Sequence, residues 1–327
     1  LTDQSKYSIP KQHQPKLNKR SVRIKKDRAA QISFFFLTLI PVGLILAITL
    51  LLGNRSIPLA QSHPIRELVF GTIWKPFSAQ FGFLPFIVGT FWVTSVALVF
   101  AVPPSVLTAF YLSEYANSTL RNLMKPILDV LAAIPSVVYG VWGVIMIVPF
   151  VEKVIKPFLS QTLGFIPLFA DTQPTGFSIL SGGIVLAVMI IPFIVAIIYE
   201  ILMTVPIELR QASLALGATK WETIAHIVFP KIIPGIIGGV VLGASRALGE
   251  TMAVLMVVGN VANIPTSIFD AAYPLPALIA NNYGEMMSIP LYDAALLSAA
   301  LVLLIIVLVF NVLATVILRQ ILKRSNS

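Results

Sequence analysis

Apolar residues run in six long blocks separated by shorter polar or turn-rich connections, and each block is long enough to cross a bilayer as a helix. A hydrocarbon core about 30 Å thick needs about 20 apolar residues of helix. The pattern predicts spans near 32–53, 86–112, 126–150, 178–203, 236–258 and 293–318. The predicted fold class is an all-α membrane protein with six transmembrane helices. The predicted organisation is a basic tail over 1–31, a six-span domain over 32–320 with one structured connection at 204–235, and a short tail at 321–327.

Composition supports this reading. Of 327 residues, 57% are hydrophobic and 11% charged, there is no cysteine, and mean hydropathy is +0.89, which excludes a water-soluble domain and a disulfide framework. The histidines, His13, His63 and His226, are scattered, so no metal site is expected.

The net charge of +9 is concentrated at the start, where Lys6, Lys11, Lys16, Lys19, Arg20, Arg23, Lys25, Lys26 and Arg28 face only Asp3 and Asp27. With little apolar surface, this tail reads as disordered, with anionic membrane lipid rather than nucleic acid as its partner. The apolar run that follows exceeds the roughly 7 to 15 residues of a signal-peptide core. Arg121, Lys125, Arg210, Lys220, Lys231, Arg319, Lys323 and Arg324 share the tail's side, against Arg55, Arg66, Lys75, Lys153 and Lys156 opposite. By the positive-inside rule both termini are cytoplasmic.

The connection at 204–235 reads as two short helices. The first ends at Gly217, suited to a left-handed turn. The second opens on the capping box Thr219-x-x-Glu222, runs from Trp221 to Phe229 and ends at Pro230. It is either a rigid lever at the membrane surface or an ordinary interhelical loop. In span five, Arg246 and Glu250 stand one turn apart, so their side chains can meet on one face. Charges at that depth should face the bundle interior or a water-filled cavity. They form either a structural pair or an anion site in which Arg246 attracts and Glu250 restrains. Ser245, Thr251, Ser136 and Tyr139 are candidate donors at similar depth, each with the alternative of bonding a carbonyl of its own helix. Gly235, Gly239, Gly243 and Ala247 form a small-residue stripe for close packing against another helix, read here as one of a second subunit.

These residues also carry a family resemblance. Gln211-Ala212-Ser213, Gly217, Ile227 and Phe229-Pro230 follow the E-A-A-x-x-x-G-x(9)-I-x-L-P pattern of ABC importer permeases, with departures that include Gln211 and Phe229. The stretch from Arg246 to Val254, R-A-L-G-E-T-M-A-V, and the stretch from Leu131 to Gly140 resemble phosphate-specific transport (Pst) permeases of the PstC type. The resemblance spans about 32–320 and implies a type I ABC importer permease in a bacterial inner membrane. It implies that Gln211, Ala212, Ser213, Gly217, Thr219, Trp221, Glu222, Ile227 and Pro230 couple to a separate ATPase. The implied partners are a PstA-type second permease, a PstB-type ATPase dimer holding ATP and Mg, and an extracytoplasmic phosphate-binding protein, with no cofactor in this chain. The chain lacks a G-x-x-x-x-G-K-[ST] phosphate loop, so it is not read as an enzyme. The alternatives are a sulfate or molybdate permease, against which the residues after Glu250 argue, and a self-contained anion channel or ion-driven transporter.

Overall fold

The computed structural model describes residues 17–171, 173–284, 289 and 291–325, and side chains from 26 to 321 except at 29. Residues up to Leu51 and residues from Leu52 onward form two compact units. The first belongs to helix α1 (Leu17–Ser62), which begins inside the stretch expected to be a disordered tail. Lys and Arg are good helix formers, so a basic segment joined to an apolar span extends its helix. The first sixteen residues of that expected tail lie outside the described ones.

In the second unit the order is α2 (Ile65–Phe70), a small hairpin of β1 (Trp74–Lys75) and β2 (Gln80–Phe81), α3 (Leu84–Tyr115), α4 (Ser118–Ala133), α5 (Ser136–Leu163), α6 (Ile179–Met203), α7 (Ile207–Ala215), α8 (Lys220–Leu248), α9 (Met252–Val257), α10 (Leu275–Asn282) and α11 (Tyr292–Ser325). Six helices among the described residues are long and apolar enough to cross a membrane: Lys26–Ser62 within α1, α3, α5, α6, α8 and Tyr292–Ile321 within α11.

Two spans differ from the expected ones. The third begins at Ser136 and runs to Leu163, whereas 126–133 belongs to the separate α4. Pro135 causes the break: the residue before a proline avoids the helical region, and Ile134 is extended at φ −60°, ψ 130°. The tail predicted from 321 is likewise helical as far as Ser325. The fifth span is Lys220–Leu248; the expected 236–258 is interrupted at Gly249–Thr251, and α9 follows as a separate helix. Pro230, expected to end a loop helix, lies inside α8.

Pro230 is tolerated because of a wide turn. A proline ring at position i collides with the carbonyl of i−4. Three π-turns, Gly143–Ile147, Val151–Ile155 and Ile224–Val228, each precede a proline by two residues, at Pro149, Pro157 and Pro230. The carbonyl that would clash belongs in each case to the middle residue of the widened turn, where the ladder has shifted to i→i+5.

The core centres on α3 against α6, where Val93, Val96 and Ala97 meet the Gly182-Gly183 pair. A Cβ on Gly183 would lie 2.3 Å from Val96 Cγ1, so the helices approach through the missing side chain. A second cluster gathers aromatic rings around Trp74, 5.0 Å from Phe86 and 5.5 Å from Phe81 between centroids.

Candidate translocation and coupling sites

The connection between α6 and α8 forms the two helices its sequence predicts, with changed boundaries. Pro206 is the N-cap of α7, and Gly217 takes φ +88° with open space where a Cβ would be, so glycine is required there by conformation. Thr219 and Glu222 complete a capping box: the Glu222 carboxylate accepts the Thr219 backbone N–H at 2.7 Å, and Thr219 Oγ1 accepts the Glu222 N–H at 3.3 Å. The Ser213 and Thr223 hydroxyls, 3.0 Å apart, tie α7 to the first turn of α8. Gln211, Ala212 and Pro230 are exposed and Ile227 is half-buried. Around Gly217 the apolar surface is uncovered, with Leu216 90% and Trp221 68% exposed.

The expected Arg246–Glu250 pair does not form. Arg246 lies in the last turn of α8, and Gly249 leaves the helix before Glu250 can continue it. Among the described residues no ion pair joins the two. Each charge instead serves a helix end of matching polarity. Arg246 sits by the carbonyl end of α8, its guanidinium 5.1 Å from the centre of the Phe193 ring of α6. Glu250 sits at the amide end of α9, its carboxylate accepting the Ala253 N–H at 3.4 Å, and lines a small cavity with Thr90 and Thr94 of α3.

The other candidates divide. The single Ser245 hydroxyl proton is shared between the Val241 carbonyl of its own helix and Asn311 Oδ1 of α11, at 2.9 and 2.8 Å, so it binds two spans together. Thr251 Oγ1 donates to the Gly249 carbonyl at 3.3 Å across the break. Tyr139 donates to the Leu131 carbonyl at 2.8 Å, joining α5 to the end of α4, and lies within electrostatic reach of Arg246. Ser136 is half-buried in the first turn of α5.

The glycine stripe was read as a face for a second subunit, and here the structure corrects the reading. Gly235 meets Ile201, Gly239 meets Ile197 and Ile198, and Gly243 meets Ile194, all on α6 of the same chain. The γ- and δ-carbons of the isoleucines crowd the positions a Cβ would occupy, so the stripe is an internal seam.

Sequence reasoning missed three contributors. Phe193 supports Arg246 and forms part of a cavity of about 460 Å³ with Ile197, Ile201, Leu128, Arg121 and Lys125; an aromatic beside Pro192 is its only signal. Asn311, a lone amide in a long apolar run, was a visible but unused signal. Glu114 and Arg210 form an ion pair at 2.9 Å across 96 positions of sequence, which no local spacing reveals. By contrast Lys125 and Glu200, 2.8 Å apart, are both 61% exposed, and bonding to the Glu200 carboxylate holds the Lys125 ammonium above its usual range.

Residues 101–326 match the family of binding-protein-dependent transport system inner membrane components. The chain is 36% identical over 301 residues to the phosphate transport system permease protein PstC of Xylella fastidiosa, covering 91% of this chain and 90% of that one. The chain belongs to the PstC family. Another member, the PstC protein of Pasteurella multocida, is 37% identical over 254 residues, covering 77% of this chain and 79% of that one. In fold, this PstC-family permease resembles a chain of the bacterial alginate ABC transporter solved with a pentasaccharide-bound periplasmic protein. The TM-score is 0.58 at 18% identity, covering 94% of this chain and 98% of that one. The type I permease fold and the multi-pass membrane character expected from the sequence hold.

Proposed function

We propose that this chain is one half of the membrane path of an ATP-driven inorganic phosphate importer, seated in the inner membrane of a bacterium with both termini in the cytoplasm. The observation that carries the reading is Arg246: a guanidinium at a break in span five, backed by an aromatic ring and without a carboxylate partner among the described residues. A guanidinium stacked on a ring keeps its N–H edge for an oxyanion, which it can bind in bidentate fashion. A single cation attracts phosphate without trapping it. The PstC-named relatives support phosphate as the substrate.

In this reading the uncovered apolar surface at Leu216 and Trp221 docks on a PstB-type ATPase dimer, which holds the ATP and Mg. A PstA-type permease supplies the other half of the path, and an extracytoplasmic phosphate-binding protein delivers the ion. ATP-driven closure of the ATPases displaces α7 and the start of α8. Because α8 is continuous from Lys220 to Leu248, the displacement reaches Arg246 through one helix.

The test is ATP-dependent uptake of radiolabelled phosphate into proteoliposomes holding the co-purified complex, with and without Arg246→Gln and with sulfate and molybdate as competitors. Loss of uptake in Arg246→Gln with complex and ATP hydrolysis intact is the expected result. Unchanged uptake removes Arg246 from the path, and efficient competition by sulfate or molybdate reassigns the substrate.

A further inference from the structure

The end of α3 is held by two arginines, one from α7 and one from α4. Glu114 lies in the closing π-turn of α3, Tyr111–Tyr115, with its side chain 8% exposed. Arg210 of α7 donates Nη2 to Glu114 Oε1 at 2.9 Å and to the Leu202 carbonyl at 3.0 Å, while Nη1 donates to the Val205 carbonyl at 2.8 Å. One guanidinium thus joins the docking loop, the end of α3 and the end of α6. From α4, Arg121 donates to the Leu112 and Ser113 carbonyls at 3.2 and 2.8 Å. Lys220 stands 4.8 Å over the Tyr115 ring of that turn, and the Phe229 ring lies 5.9 Å from that of Phe110 just before it, so α8 also contacts the end of α3.

A buried ion pair returns little net stability, because desolvation offsets its attraction; what it does impose is one geometry. Here that geometry fixes the loop to the helix pair at the centre of the core. We propose that Arg210 and Glu114 are positioning residues that transmit the displacement of the docking loop to α3 and α6, a second route beside the continuous α8. The inference rests on the reading of 204–235 as the ATPase-docking loop.

The chain has no cysteine, so a covalent replacement for the pair can be introduced cleanly. The experiment uses the co-purified complex in proteoliposomes and measures oxyanion taken up per ATP hydrolysed. Glu114→Gln should keep ATP hydrolysis while this ratio falls by about five- to a hundredfold, the range of ordinary coupling energies. Glu114→Cys with Arg210→Cys should show the same loss, and joining the two thiols with a short bifunctional reagent should restore the ratio. An unchanged ratio in Glu114→Gln, or a linked pair that assembles with its ATPase yet stays uncoupled, overturns the proposal. The wild-type complex tests the underlying reading separately: if it takes up another oxyanion instead of phosphate, the ratio is measured for that ion, and if no ATP-dependent uptake occurs the reading of the loop itself falls.

Discussion

Two acid–base pairs set the two functional regions apart. Arg246 and Glu250, four positions apart in sequence, do not meet, whereas Arg210 and Glu114, 96 positions apart, do. Helical spacing brings side chains together only if the helix continues, and Gly249 ends it. What joins the distant pair is the tertiary fold, which brings Arg210 of α7 to Glu114 at the end of α3. The near pair is left divided, one charge turned to a ring and the other to an amide end. The far pair is closed and shielded, and suits transmission.

The largest effect expected from this contrast is on stability. Glu114→Ala leaves the partly buried Arg210 without its carboxylate, though still bonded to the Leu202 and Val205 carbonyls, and should cost about 3 kcal/mol, read as a lowered thermal midpoint of the purified complex. Glu250→Gln keeps an oxygen for the Ala253 N–H and breaks no ion pair, so its shift should stay within about 0.5 kcal/mol; a loss as large as that of Glu114→Ala would mean that Arg246 and Glu250 do pair. Next comes the seam between α6 and α8. A Cβ on Gly243 would stand 2.7 Å from Ile194, whereas Gly238 has open space. Gly243→Leu should therefore cost about 1–3 kcal/mol through overpacking, while Gly238→Ala should be neutral or stabilising by up to about 1 kcal/mol; equal effects would show that the stripe does not pack internally. Removing the cap with Thr219→Ala should cost about 1 kcal/mol, visible as faster amide exchange over 219–223. Smallest of all, Lys125→Gln should leave the melting temperature unmoved, since its pair is exposed and screened.

How much the sequence reveals depends on the range of the interactions concerned. Span number and the left-handed Gly217 follow from hydropathy and backbone conformation, and the capping box from four adjacent residues. The boundaries of spans three and five did not follow, because hydropathy treats Ile134-Pro135 and Gly249–Thr251 as interior to apolar runs. The partner of the glycine stripe was misassigned for a related reason: spacing shows that a face is flat, and only the isoleucines of α6 show what lies on it. Arg210 and Glu114 carry no local signal of their roles, since each acquires its partner from a distant element.

The wide turn at Ile224–Val228 has a rotational consequence. Relative to a regular helix, it amounts to one extra residue, and each residue advances the helix by about 100°. That single residue sets the phase between the exposed start of α8 and everything beyond it. With the extra residue, the glycines face α6 and Arg246 stands over Phe193; deleting it would leave the capping box and the far helix each intact but turn the arginine about a quarter of the way around the axis. Pro230, which requires the wide turn two residues earlier, therefore acts as the index mark that keeps the two ends of the helix in register.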